Sequence, residues 1–256
     1  MPRLLLPMLT LFAAAVAACA QSTPSQPPGT LAAQLQQLAI AADDLRHHLP
    51  NFACTESLVS QELRNGKVRT QVTASGDIRV QLDPNGKLAE HFQAAQVNGR
   101  PSTSTTLRIP MFVTGGFQNA LDLFESANQA CFDFTASANR IDFSSSPNPT
   151  PACKDHSDTT GFVLFDAAGN PRHLEHHIPV DIARQRHAVP FGVLDLTPTG
   201  LGGGTFFLST HVVAADIPSF QPDDKTTFHW EATYTNCHLF TATVKILPAT
   251  PDAPQP

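Results

Sequence analysis

The densest cluster of reactive side-chain types in this chain is His173-Leu174-Glu175-His176-His177. Three imidazoles and a carboxylate are the donor types of a metal site. The spacing argues against one. On an extended strand His176 faces opposite to His173 and His177, and those two stand ~13 Å apart at ~3.3 Å per residue. One ion needs its donors about 2 Å away, so the pair cannot chelate it unaided. His187, His211 or Glu175 would have to complete a set through tertiary contacts. The H-E-x-x-H helix motif is absent. The cluster is therefore read as a solvated or edge-strand feature, with no metal and no cofactor assigned.

Nucleophilic chemistry has no better footing. A hydrolase needs a poised nucleophile, and no G-x-S-x-G is present. Gly200 to Gly204 could wrap a phosphate, but it joins two strand signals and opens no helix, so the dipole that holds an anion is missing. A hairpin turn explains it. The chain is read as non-enzymatic, with no catalytic residue.

Five cysteines remain to be placed. Arg3 followed by apolar Leu4 to Ala18 reads as an export signal, too short to span a bilayer comfortably. Val16-Ala17-Ala18-Cys19 resembles the lipobox of bacterial lipoproteins, in which the cysteine is acylated. A competing cleavage after Ala20 fits the small-x-small rule of ordinary signal peptidase. Ala rather than Asp at position 20 goes, in such lipoproteins, with the outer membrane. The expectation is therefore a lipoprotein on the periplasmic face of the outer membrane, or a soluble periplasmic protein if Ala20 is the cleavage point. Setting Cys19 aside leaves Cys54, Cys131, Cys153 and Cys237. An even number in an exported chain implies disulfides. Cys131–Cys153 closes a short loop around one hairpin, and Cys54–Cys237 follows by elimination. Cys237 lies off the inward face of its strand unless a bulge intervenes.

The elements that must carry these residues are mostly strands. Thr30 to Leu49 has a capping threonine and Leu31, Leu35, Leu38, Ala42 and Leu45 at helical spacing, ended by Pro50. From Ala53 the period changes to two. Asn65-Gly66, Asp83 to Gly86 and Val97 to Arg100 are turns between alternating runs. Phe117 to Ala127 reads as a short helix with Phe117, Leu121 and Phe124 along one side. Strand signals resume at 131–137, 140–145, 161–166, 172–178, 191–196 and 205–215. The longest is Thr226 to Phe240, in which Phe228, Trp230, Ala232 and Tyr234 share one face. About ten strands joined by hairpins, with two helices, make an α+β protein: a curved antiparallel sheet, an incomplete β-barrel with both helices on the concave side. The division is 1–19 signal peptide, 20–29 tether, 30–247 half-barrel and 248–256 disordered tail.

Three stretches carry a resemblance: Leu49-Pro50-Asn51-Phe52-Ala53-Cys54-Thr55-Glu56, Gly161 to Asp166 with Arg172 to Glu175, and Phe228 to Phe240. Spaced over residues 49 to 247, they resemble a group of uncharacterised exported bacterial proteins. That group is similar in layout to the outer-membrane lipoprotein carrier and receptor, whose open barrel holds acyl chains beneath helical lids. The resemblance implies fold and compartment. Cys131, Cys153 and Cys237 depart from the group's pattern, and the carrier's lipid-handling residues have no counterparts here, so it implies no site residue.

The formal charge of -6 and the lack of a basic run exclude a nucleic-acid partner. Three functions stay open. One is a binding or carrier module for a lipid, acyl chain or hydrophobic peptide, in a groove lined by Phe228, Trp230, Tyr234, Phe117, Leu121 and Phe124 and anchored to the membrane through Cys19. The second is a structural protein with a closed core, and the third an envelope hydrolase of unfamiliar type. Oligomeric state is not legible.

Overall fold

The structure, a computed structural model, describes residues 30–82, 88–103, 107–113, 116–147, 150–219 and 225–240. Cys19, the tether, the turn at Asp83 to Gly86, the strand signal at 242–247 and the tail lie outside the described residues.

Among the described residues eleven strands form one antiparallel sheet where about ten were expected, and one of them is a two-residue edge strand. They are β1 (Phe52–Arg64), β2 (Lys67–Leu82), β3 (Leu88–Val97), β4 (Arg100–Pro101), β5 (Phe132–Ser137), β6 (Arg140–Ser145), β7 (Thr160–Phe165), β8 (Pro171–His177), β9 (Phe191–Leu201), β10 (Gly204–Pro218) and β11 (Thr226–Leu239). Their order across the sheet is β4-β3-β2-β1-β11-β10-β9-β8-β7-β6-β5. The sheet is open: β4 and β5 are its two edges, and the first and last long strands meet at its middle. Asn65-Gly66 and Asn98-Gly99 both have positive φ at the two turn residues, which matches the twist of the strands they join.

Register shifts interrupt the ladders at Ala53/Thr55, Glu62/Leu63, Ser75/Gly76, Leu164/Phe165, Ser209/His211 and Ala214/Ile217. Each inserts a residue, bends its strand and adds twist. The shift at Ala53/Thr55 faces Asn236, whose φ of 54° lies in the left-handed region. That pair of irregularities turns Cys237 inward, where it is bonded to Cys54. Cys131 is bonded to Cys153.

Because the chain finishes its first meander at one edge and starts its second at the other, the connection from β4 to β5 has to cross the whole inner face. Its aromatics mark the crossing. Phe112 contacts Phe92 on β3 and Trp230 on β11, Phe117 packs on Phe52 of β1 and Tyr234 of β11, and Phe124 meets Phe143 of β6 and Phe134 of β5. Two buried serines fasten it. Ser60 Oγ donates to the Met111 carbonyl at 2.8 Å and accepts from its N–H at 2.9 Å. Ser209 Oγ donates to the Gly116 carbonyl. Regular helix is confined here to a 3-10 turn, Asp122–Phe124, and one α turn, α2 (Ser126–Gln129), rather than the continuous helix expected. Anchoring Phe117 and Phe124 on opposite wings of the sheet overrides local propensity.

Helix α1 (Leu31–Asp43), capped by Thr30 and extended by a π turn over Asp44–His48, packs on this crossing segment. Gln129 donates to the Leu35 carbonyl at 3.0 Å, and Arg46 pairs with Glu125. A helix the sequence reading passed over, α3 (Val180–Arg186), follows β8. It starts after Pro179, which pre-sets φ, and stops where His187 turns left-handed at φ 56°. Among the described residues no helix is long and apolar enough to cross a membrane.

Candidate functional site

The residues expected to line a groove are core instead. Trp230, Tyr234, Phe117, Leu121 and Phe124 are each 3% exposed or less, and their rings fill the space by packing on one another and on Phe52 and Phe112. Phe228 is half-buried against the same core. The open space lies further along the inner face, over β8, β9 and β10.

Its origin is a row of small residues. Across the sheet the register aligns Gly161, His176, Gly192, Ala214 and Trp230, one per strand from β7 to β11. Inward side chains normally fill the volume above a sheet. Here Gly161, Gly192 and Ala214 contribute almost nothing: the Phe143 ring takes the place over Gly161, and the His176 ring spreads over that of Gly192. A Cβ on Gly192 would fall within 2.9 Å of both His176 ring nitrogens. The next row, Leu174, Leu194 and Val212, supplies an apolar floor.

Above this floor is a cavity of about 540 Å³. The crossing segment roofs it with Val113, Gly116, Ala120 and Leu123, and Ala188 and Val189 after α3 close one end. Polar groups sit among the apolar ones: Asn119, Asp122, Asp155, His156, His176 and His187. The volume is that of a small-molecule site, and apolar walls with a few polar groups are its usual composition. Burial pushes the Asp122 carboxyl up, against the opposing influence of His156 and the Leu123 N–H. Burial pushes His176 down, so the neutral ring is favoured, although a hydrogen bond to the Val189 backbone opposes this.

A second titratable feature lies deeper. Glu56 on β1 is 0% exposed, opposite Tyr234 in the ladder. Burial, with repulsion from Glu90, pushes its carboxyl up to about 8. The Tyr234 hydroxyl opposes the shift but makes no well-formed hydrogen bond to either carboxyl oxygen. Tyr234 is itself raised, by burial first and then by the two glutamates.

The histidine cluster divides between the faces as its period requires. His176 points inward, and His173 points outward into a chain of alternating acids and imidazoles. His173 Nδ1 donates to Asp195 Oδ1 at 2.7 Å, and His211 Nδ1 to Asp195 Oδ2 at 3.0 Å. His211 Nε2 donates to Glu231 Oε1 at 3.0 Å, and His229 stands 3.7 Å from the other Glu231 oxygen. The ladder spans β8 to β11, one layer of strands away from the cavity. At its near end the His173 ring stacks on Phe162, and the Arg140 guanidinium lies over the same Phe162 ring at 3.7 Å. Among the described residues no group of three or more His, Cys, Asp or Glu is placed to hold a metal ion. A shallow trough of about 410 Å³ continues the outer face over Ser57, Thr73, Ser75 and Thr233, rich in hydroxyls.

Sequence reasoning missed Asp122, His156 and the glycine row. The row had a signal: Gly192 and Ala214 stand at inward positions of strands whose other inward residues are Leu194, Leu196, Val212 and Leu208. His156 and His187 had none, since only tertiary folding brings them to the mouth.

No protein-family model matches the chain, and no curated protein matches it in sequence. Among solved structures it is similar to a DUF1329 family protein from Desulfovibrio piger, at 11% identity and a TM-score of 0.38, covering 83% of this chain and 94% of that one. It is also similar to a LolA superfamily protein from Nitrosomonas europaea, at 8% identity and a TM-score of 0.32, covering 82% and 94%.

Proposed function

We propose that this protein is a non-enzymatic binding module of the cell envelope that holds a small hydrophobic molecule or acyl chain in the cavity over β8 to β10. One observation carries the reading: a roofed space of about 540 Å³ whose floor is Leu174, Leu194, Val212 and Ala214. Such a floor sheds water and gains on receiving an apolar group, at roughly 25 cal/mol per Å² covered. The two disulfides suit an oxidising, exported setting. Within that setting Cys19 is proposed as a lipid anchor, with acyl chains supplying ~0.8 kcal/mol per buried methylene.

The test is titration with the neutral probe N-phenyl-1-naphthylamine, whose emission rises in apolar surroundings. Wild type should bind it saturably. Ala188→Trp, which places a large ring at the half-buried end of the cavity, should abolish binding while leaving the far-ultraviolet spectrum intact. Saturable binding that survives Ala188→Trp undiminished would place the probe elsewhere and remove the support for this reading. For the anchor, Cys19→Ala should move the protein from the membrane to the soluble envelope fraction; an unlipidated wild-type N-terminus at Gln21 refutes it.

A further inference from the structure

Building on the cavity just described as a binding site, we infer that its ligand carries a head without negative charge that donates hydrogen bonds, a hydroxyl or an ammonium, on an apolar body. The charge around the cavity is one-sided. Among the described residues its lining includes the carboxyls of Asp122 and Asp155 and no Lys or Arg. Of the cations next in sequence to the lining, Lys154 beside Asp155 is exposed to solvent, and Arg186 beside His187 is committed elsewhere. Arg46 pairs with Glu125. Arg186, at the end of α3, is turned to the loop beside the cavity, where it donates to the Ser157 carbonyl at 2.6 Å and stands 3.4 Å from Asp158.

A carboxylate or phosphate entering this space would lose water and meet no fixed positive charge. An uncompensated anion in apolar surroundings is strongly disfavoured. His187 is exposed to solvent at the cavity's end, and the other two imidazoles do not repair this. His176 is nearly enclosed, and the neutral ring its burial favours offers an anion no charge. His156 is already engaged with the Asp122 carboxyl. A hydroxyl or ammonium head, by contrast, finds an acceptor at each step: the Asp122 carboxyl and the Asn119 side-chain oxygen line the same wall as the apolar Ala120 and Leu123. The apolar body then lies on Leu174, Leu194 and Val212. Charge complementarity separates amines and alcohols from fatty acids of equal length.

The experiment is displacement of N-phenyl-1-naphthylamine from wild-type protein at neutral pH by decanol, decylamine and decanoate, each below its micelle concentration. Decanol and decylamine should displace the probe at concentrations about tenfold lower than decanoate, or lower still. Asp122→Asn keeps the shape and a hydrogen-bond acceptor while removing the charge. It should weaken decylamine by about tenfold, as loss of a charge-assisted hydrogen bond does, and leave decanol within about twofold. Decanoate competing as well as decanol overturns the inference while leaving the binding function intact. Decylamine unaffected by Asp122→Asn, in a variant that melts like wild type, also overturns it. Absence of probe binding to wild type is a different result and counts against the binding function itself.

Discussion

The ring of His176 lies against the bare Cα of Gly192 on the next strand, with both ring nitrogens within 2.9 Å of where a Cβ would stand. Adding a methyl group there pushes the ring off the sheet and into the cavity. Gly192→Ala is expected to cost about 1–3 kcal/mol in urea unfolding, the usual range for overpacking, and to weaken probe binding. The double variant Gly192→Ala/His176→Ala removes the clash and should recover most of that loss. Equal stability of Gly192→Ala and wild type would show that the ring does not depend on the glycine.

Glu56 makes stability fall as pH rises. Its folded value of about 8 lies above the ordinary 4.5, raised by burial and then by Glu90, with Tyr234 opposing. The unfolded chain releases this proton first. The full contribution is present below 4.5 and is lost as pH climbs from about 4.5 to about 8. By pH 7 the loss amounts to roughly 3 kcal/mol. Glu56→Gln should flatten stability over that window, as followed by urea midpoints at several pH values. A variant with wild-type pH dependence would move the effect to another group.

His211 lies on the other, outer face of the sheet. Partial burial disfavours its charge, but hydrogen bonds to Glu231 and Asp195 outweigh that and raise it. Both ring nitrogens face carboxylates, so the doubly protonated ring satisfies both. Its stabilisation is complete below 6.5 and fades as pH rises through the higher folded value. Asp195 is the mirror case. Partial burial opposes its charge, yet hydrogen bonds from His173 and His211 hold it below its usual range, so its contribution stands above 3.8 and is lost in acid. These groups are well exposed, and solvent limits the ladder to roughly 0.5–1 kcal/mol. His211→Gln should lower the melting temperature slightly at pH 5 and leave it unchanged at pH 9. A larger loss at pH 9 than at pH 5 would refute the assignment.

The two disulfides should differ in weight. Cys54 and Cys237 are 183 residues apart and Cys131 and Cys153 are 22 apart. In the chain-entropy model these loops correspond to about 5 and about 3 kcal/mol. Denaturant unfolding of Cys54→Ser/Cys237→Ser against Cys131→Ser/Cys153→Ser should show the first pair costing more. The reverse order would mean that the reduced chain keeps the β1–β11 pairing on its own.

What could be read from the residues follows the range of the interactions involved. The β-hairpins were legible because Asn65-Gly66 and Asn98-Gly99 are local devices whose backbone requirement is written in two residues. The inward face of β11 was legible for the same reason, since Phe228, Trp230, Ala232 and Tyr234 repeat with the strand period. The use of that face was not. Whether an aromatic stripe fills space or frames it depends on what arrives from elsewhere, and here Phe112 and Phe117 arrive and seal it. The cavity depends on three small side chains from three strands falling into one register, which no single stretch displays. Helix α3 was hidden between two prolines that read as loop punctuation. The bulge that lets Cys237 meet Cys54 could be named as a condition, but Asn236, though of a type that tolerates left-handed backbone, stands inside an alternating run with no glycine beside it to mark a turn.

The meeting of β1 and β11 at the centre of the sheet also sets a timetable for assembly. Strands β1 to β4 can meander locally, and so can β5 to β11. The join between them links the start of the folded chain to its end, the least local contact available, and contacts of that kind form slowly. A chain delivered from its N-terminus offers the open edge of β1 through the whole interval before β11 arrives, and an unpaired edge recruits other chains. Cys131 and Cys153 can be oxidised as soon as the second meander begins. The bond between Cys54 and Cys237 can form natively only after β11 has been made, which makes it the latch that records a finished sheet.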